Sequence, residues 1–438
     1  MRPTTVRQHR VTDTTTNSRR TVLTGFGVIN PIGTGPDAFW QALLAGTPGV
    51  HTITQLNPQH LPSRMAGEVR NFSAKSLIEK SYRRTLNAMA RTVEFGVIGC
   101  QFAMQDAGLT KGSVPSERIG VEFASVMGAT ELDDLGPASK HSIQKNGVEP
   151  DMAIWGREGL SQVPPLWMLK YLPNMPACHA TILYDMKGPS NTQIPGDTAG
   201  GVAMGEAVRI IRRGAADVML VGGSEAKIHP LSLSRFNLFA SFSKRNDNPE
   251  RAIRPFDRDR DGTAPGEGAA AFTLESLDHA LARKAKIYAE VVSSASGVDR
   301  GLSGTGMARV IRNALAAAGI QPTDVDHVNV HGLGTVRGDA FEARAIAEVF
   351  GKSVPVYAPL AQFGNLGAAS GLMEMACSVL ALKHGLLPGT LNHTNPDPAC
   401  PITVHTGAPR PVTKPYAVKM SYTELGQSSV VVIRRWSE

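Results

Sequence analysis

Cysteine is scarce in this chain of 438 residues. The four present, Cys100, Cys178, Cys377 and Cys400, form no CxxC pair and no His/Cys spacing suited to a metal. A disulfide scaffold and a zinc module are thereby excluded. The expectation is a cytoplasmic protein with reduced, packed thiols, no metal and no cofactor. Long apolar runs are also lacking. None approaches the roughly 18 residues of a membrane span, and the N-terminus has no apolar core of a secretory signal. Charged residues make up only 19% and aromatics 6%. The first value is low for a disordered chain. With no basic stripe interleaved with aromatics, nucleic-acid binding is not expected. The net charge of +7 owes +4 to the first twenty residues, where Arg2, Arg7, Arg10, Arg19 and Arg20 stand against Asp13 alone. Residues 1–19 read as a flexible arm, Thr/Arg-rich in the manner of a transit peptide. The remaining +3 suits an acidic carrier protein as partner.

What is abundant is glycine, 44 residues, within a 42% hydrophobic chain. That length and content predict about two to three compact units. Thr21–Ile29 is an apolar run without alternation, the pattern of a strand buried on both faces. A helix is expected over Pro36–Leu44, stopped by Gly46, and another over 81–107, stopped by Gly108. Val121–Ala124 reads as a buried strand and residues 129–165 as an irregular excursion with short helices. After Asp197 a helix buries Ala203, Ala207 and Ile210, and Gly214 closes it. Asp217–Val221 is the next strand, followed by Gly222-Gly-Ser. The second half repeats this grammar. Strands are expected at Ile287–Ser294, Val325–Val330 and Val354–Ala358, helices at Gly306–Ala318, Asp339–Phe350 and Ala368–His384, and a final hairpin at Tyr416–Ser421 and Ser429–Ile433. The repeated order predicts an α/β protein with a duplicated, layered α/β/α fold. Its halves are placed at 20–283 and 284–438.

Seven motifs occur in a fixed order. They are Arg19-Arg-Thr-Val-Leu-Thr-Gly-Phe-Gly-Val-Ile-Asn-Pro-Ile-Gly33, Trp40-Gln-Ala-Leu-Leu-Ala-Gly46, Pro173-Asn-Met175 with Gly188-Pro-Ser190, Arg254-Pro-Phe-Asp-Arg-Asp-Arg-Asp-Gly262, Gly266-Glu-Gly268, His331-Gly-Leu-Gly-Thr335 and Gly364-Asn-Leu-Gly-Ala-Ala-Ser-Gly371. Through them the chain resembles the β-ketoacyl synthases of the thiolase superfamily over about residues 20–435, which implies a thiolase-like fold. The resemblance also implies a site. In that family a cysteine at a helix N-terminus accepts the acyl chain, and the helix dipole favours its thiolate. Two histidines stabilise the enolate formed when the extender loses its carboxylate. A lysine fixes the second histidine, and a glycine-rich C-terminal loop helps hold the oxyanion.

Carried over by position, this chain departs at most of these points. Asp197 stands at the nucleophile position. His331 matches the first histidine, Asn365 the second, and Leu360, five residues earlier, the lysine. The C-terminal loop is Tyr422-Thr-Glu-Leu-Gly426, with Glu424 at the aromatic gate. A carboxylate attacks a thioester poorly, because the thiolate it would expel is the better leaving group. An amide at 365 donates a hydrogen bond but cannot carry positive charge. Structural roles stand beside the chemical ones. Asp197 suits a helix N-cap, His331 an interior hydrogen-bonded histidine, Asn365 a satisfied buried amide, and Glu424 a solvent-facing loop. Cys178 reads as packing. His179, His229, His384, His393 and His405 show neither triad nor metal spacing.

The resemblance narrows to the chain length factor, or ketosynthase β-subunit, of type II polyketide or fatty-acid-like systems. That class often has glutamine where this chain has Asp197. It implies a non-condensing subunit that forms a heterodimer with a cysteine-bearing ketosynthase, closes the acyl tunnel, and meets an acyl carrier protein with its phosphopantetheine-linked chain. The alternative is an enzyme of altered chemistry, in which Asp197, His331 and Glu424 move protons on carrier-bound acyl chains. A condensing enzyme with a shifted alignment is disfavoured, since no cysteine stands within eighteen residues of Asp197.

Overall fold

The computed structural model describes residues 19–143, 147 and 149–437. Apart from Arg19, the expected N-terminal arm lies outside the described residues. Ten strands build the main sheet. They are β1 (Thr21–Asn30), β2 (Ile119–Ala124), β3 (Ser190–Gln193), β4 (Val218–Ala226), β5 (Glu267–Ser276), β6 (Ala289–Val298), β7 (Val325–Asn329), β8 (Val356–Tyr357), β9 (Tyr416–Tyr422) and β10 (Gln427–Arg435). A short strand, Gly33–Thr34, pairs with β1.

The sheet order is β8-β7-β9-β10-β6-β1-β5-β4-β2-β3. Numbered within each half, both read 3-2-4-5-1, joined where β1 meets β6 antiparallel at Val22↔Glu290. Pairing sense repeats as well. β2 is parallel to β3 and β4, and β7 is parallel to β8 and β9, whereas β4–β5 and β9–β10 are antiparallel. The duplication expected from element order is therefore present in topology, and the fold is α/β with helices on the sheet, as in the thiolase-like class. β1 is buried along its whole length, as its unalternating apolar run requires.

Helices fall where the periodicity placed them. α1 (Pro36–Ala45) ends on Gly46 at φ 63°. α2 is Arg91–Asp106, α3 Ala199–Arg212, α4 Thr305–Ala318, α5 Val336–Phe350 and α6 Ser370–His384. α6 is buried through Leu382, its apolar residues packed on every side and its buried Ser370, Glu374 and Ser378 engaged by polar partners.

Three expectations change. The helix predicted over 81–107 is two pieces. Lys80–Ala88 is 3-10 and buries no residue, Met89 and Ala90 are extended, and only then does α2 begin. The first piece packs only Tyr82 and Leu86, each partly buried, against the core, which is too little apolar contact to hold an α-helix there. Gly266-Glu-Gly268, which by the family resemblance belongs with Arg254–Gly262 to the loop between the halves, runs into β5. The strand expected to end at Val221 continues through Gly222-Gly-Ser to Ala226. A Cβ at Gly222 would overlap the Phe123 ring, so the glycine answers a close approach between strands. The longer β4 carries Glu225 and Lys227 toward the site.

Candidate active site

The positions singled out by sequence converge. Asp197 lies in the 3-10 turn Gly196–Thr198 that leads into α3. His331 follows β7, Asn365 lies just before α6, and all three meet. The His331 Nε2 donates to Asp197 Oδ2 at 3.2 Å, and Asn365 Nδ2 donates to the same oxygen at 3.3 Å. The Asn365 orientation is set by its other end, where Oδ1 accepts from Gly367 N at 2.6 Å, Ser370 Oγ at 3.1 Å and Lys227 Nζ at 3.3 Å. Leu360 is fully buried in the apolar core and brings no charge. Glu424 is exposed, but lines a cavity of about 150 Å³ with Asp197, Lys227 and Asn365. An outer cavity of about 490 Å³ adjoins it, sharing Ser241, Thr335 and Glu424 as walls.

The capping role expected for Asp197 is not found. Its carboxylate caps nothing, and Thr198 takes the N-cap position of α3 without a side-chain capping bond, its hydroxyl donating to the Pro195 carbonyl instead. The turn runs straight into the helix, and the Ala199 N–H meets the Gly196 carbonyl. A buried imidazolium and an amide claim the carboxylate instead.

His331 is fully buried, and its second nitrogen is also engaged. Nδ1 lies 3.0 Å from Glu374 Oε1, and Glu374 Oε2 lies 2.6 Å from Lys419 Nζ. The backbone is fixed too, since Glu342 accepts from the N–H groups of His331 and Gly332 at 2.9 Å each. Burial alone would discharge His331, but the Glu374 charge and the Asp197 hydrogen bond overcome it and hold the pKa up to about 10. Burial alone would raise Asp197, but the His331 hydrogen bond and the Lys227 charge hold it down to about 2. At neutral pH both are charged, and both imidazole nitrogens donate. Charge alternates along the buried row Lys419, Glu374, His331, Asp197, then through Asn365 to Lys227 and Glu225. Glu424 is the solvent-facing loop residue the sequence favours, so it forms no buried carboxylate pair with Asp197, whose pKa is depressed.

Lys227, Glu374, Lys419, Glu342 and Glu225 were not read from the sequence. A signal existed for two of them. Glu374 in Gly-Leu-Met-Glu-Met-Ala and Lys419 in Tyr-Ala-Val-Lys-Met-Ser are single charges within apolar elements, and such charges are buried only when paired. The lysine lost at Leu360 is thus matched by cations arriving from β9 and from the end of β4. Gly367 makes the crossing possible. It has φ +57°, and a Cβ there would collide with the Glu225 carboxylate and lie 2.8 Å from Lys227 Cε. Gly367→Ala is expected to cost at least about 2 kcal/mol in urea unfolding; a smaller loss would mean the row can relax.

Comparison with known proteins follows this geometry. The model of "Beta-ketoacyl synthase, N-terminal domain" matches residues 18–280, and that of "Beta-ketoacyl synthase, C-terminal domain" matches 288–394. The chain belongs to the β-ketoacyl synthase family. A curated relative, 3-oxoacyl-[acyl-carrier-protein] synthase 2 of Coxiella burnetii, is 33% identical over 427 residues, covering 95% of this chain and 99% of the relative. Among solved structures, "The ishigamide ketosynthase/chain length factor" aligns with a TM-score of 0.85 at 28% identity, covering 96% of this chain and 100% of that one. "AntDE:AntF (apo): type II PKS acyl-carrier protein in complex with its ketosynthase bound to the hexaketide" aligns with a TM-score of 0.82, also at 28% identity, with the same coverages. Family members thus include condensing synthases and a ketosynthase/chain length factor. Among the described residues no helix is long and apolar enough to cross a membrane.

Proposed function

We propose that this chain is a non-condensing ketosynthase-like subunit of the chain length factor type. It pairs with a cysteine-bearing ketosynthase and shapes the acyl tunnel in type II polyketide or fatty-acid-like biosynthesis, where an acyl carrier protein presents the growing chain. The observation that carries this is the ion pair at the nucleophile position. Asp197 Oδ2 is shared by two donors, and its depressed pKa marks a weak base and a weak nucleophile. Both N–H groups of His331 are spent on carboxylates, so neither is free to polarise a thioester carbonyl. The acid/base alternative gains nothing here. Asp197 and His331 are held in opposite charge states across the neutral range, so neither is poised to exchange a proton.

Pairing is supported at the far edge of the sheet. β3 is a terminal strand with Ser190 and Asn191 exposed. Met127, Ile182 and Ile194, in the segments flanking it, are more than half exposed. A short edge strand with apolar neighbours is a surface that another chain covers. Residues 129–165 add exposed Leu132 and Leu160.

Co-expression with a cysteine-bearing homologue is the test. The two chains are expected to co-purify as a heterodimer, and Ile194→Arg is expected to abolish pairing without changing the melting temperature of this chain. Asp197→Asn in the heterodimer is expected to leave carrier-bound product, read by mass spectrometry, within about twofold of wild type. A stable homodimer indifferent to the partner would overturn the proposal, and loss of product in Asp197→Asn would revive the acid/base reading.

A further inference from the structure

A carboxyl is buried one strand in from the sheet edge. Glu122 is the single charged residue of β2, and it is 1% exposed. Side chains alternate along a strand. Val121 and Phe123 pack in the cluster that holds α2, while Glu122 shares the opposite face with Ala124, which packs with α3. That face continues onto the terminal strand β3. Glu122 is in register with Asn191, and Ala124 with Gln193. Asn191 is exposed and Gln193 half-buried. Among the described residues the Glu122 carboxyl accepts one hydrogen bond, from Gln193 Nε2 at 3.1 Å.

No cation is free to neutralise it. β4, on the other side of β2, sets Val221 beside Glu122 and Gly223 beside Ala124. The charges that reach Glu122 come from α3 and its C-cap: Glu206, Arg209 and Arg213. Both arginines are turned to Glu206, at 2.6 Å and 3.7 Å. Burial pushes the Glu122 carboxyl up to about 7. The Glu206 charge adds to this, and the Gln193 hydrogen bond and the two arginines oppose it. The open side of this face is the β3 edge. A chain laid along that edge removes water from it, and dehydration favours the neutral acid over the carboxylate. We propose that covering the β3 edge drives a proton onto Glu122, so that pairing strengthens as pH falls through neutrality. The inference rests on the preceding reading for the pairing at this edge. It also gives the chemistry of the partner surface, which brings apolar groups or neutral acceptors to Glu122 and no lysine or arginine. A cation there would hold the carboxylate charged and reverse the sign. The unpaired chain loses this proton near 7 and the paired chain at higher pH. The gain in pairing is therefore full below 7 and is lost as pH rises through the paired value.

Calorimetric titration of this chain with a cysteine-bearing homologue, in two buffers of different ionisation heat, is the test. Dilution of this chain alone is run beside it. Pairing is expected to be about five- to tenfold tighter near pH 6 than near pH 8.5, as for a carboxyl raised by about one further unit on pairing. At slightly alkaline pH, pairing is expected to take up part of a proton from the buffer. Glu122→Gln, near-isosteric with the neutral acid, is expected to remove that uptake and most of the slope. It is expected to pair at high pH as tightly as wild type does at low pH. The proton count is read on the wild-type chain, so a variant that does not fold leaves the test intact. Level affinity, proton release on pairing, or an unchanged slope in Glu122→Gln would overturn the inference. A heterodimer with a level profile rejects the inference alone. A homodimer that carries the slope while no heterodimer forms rejects the function reading alone, and absence of any pairing rejects both.

Discussion

Asp197→Leu is expected to destabilise this protein by about 3–5 kcal/mol, the cost of removing one partner from a buried charge pair. The substitution leaves the buried His331 ring with Glu374 as the carboxylate bonded to it, and removes the carboxylate that Lys227 helps hold charged. His331 is expected to respond by losing its proton more readily, since one of the two groups holding it charged is gone. Urea unfolding measures the first effect, and histidine ring signals in an NMR titration measure the second. Asp197→Asn is expected to cost less, because the amide oxygen still accepts from Asn365 or His331. The comparison that isolates the pair is a double-mutant cycle with His331→Leu. A coupling of about 2 kcal/mol or more is expected from residues in direct contact. Additive effects, or a stabilised Asp197→Leu, would show that the row of charges contributes nothing net, as happens when buried ion pairs merely break even with apolar packing.

Alkaline conditions are expected to weaken the fold well before lysine or arginine titrates. The His331 pKa is raised from its ordinary 6.5 to about 10. A raised folded-state value contributes stability that is fully present below 6.5 and is lost as pH rises through about 10. For a fully buried group the ceiling is about 5 kcal/mol, shared among His331, Asp197 and Glu374. The denaturant midpoint should therefore fall steadily between pH 7 and 10, and His331→Gln should flatten that slope. A midpoint level to pH 10 in the wild type would mean that His331 is neutral in the folded protein. Asp197 gives the opposite limb. Its folded-state value is lowered from 3.8 to about 2, so its contribution is present above 3.8 and lost as pH falls through about 2.

Several elements were legible from letters alone. Gly46, Gly108 and Gly214 end helices at positive φ, where only a residue without Cβ is unstrained. The unalternating run Thr21–Ile29 forces a strand covered on both faces. The motif order located Asp197, His331 and Asn365, and the fold brings them within hydrogen-bond distance. The break at Met89 was hidden, because helical periodicity on either side does not report whether a surface exists to pack against. Gly222-Gly reads as the end of a strand in one dimension. In three it is a strand making room for Phe123.

By itself the sequence determined that the thiol was absent, that its companions at Leu360 and Asn365 had changed with it, and that two similar halves would be built. Those are statements about residue type and order. Only the tertiary structure decided what Asp197 became. Whether a carboxylate caps a helix, attacks a substrate or joins an ion pair depends on which charges lie within about 4 Å in a low-dielectric interior. The charge that touches Asp197 is His331 beyond β7, and the row is extended by residues far apart in sequence: Lys227 beyond β4, Glu374 on α6, Lys419 on β9. Their convergence turned a missing nucleophile into a locked, alternating row of charge.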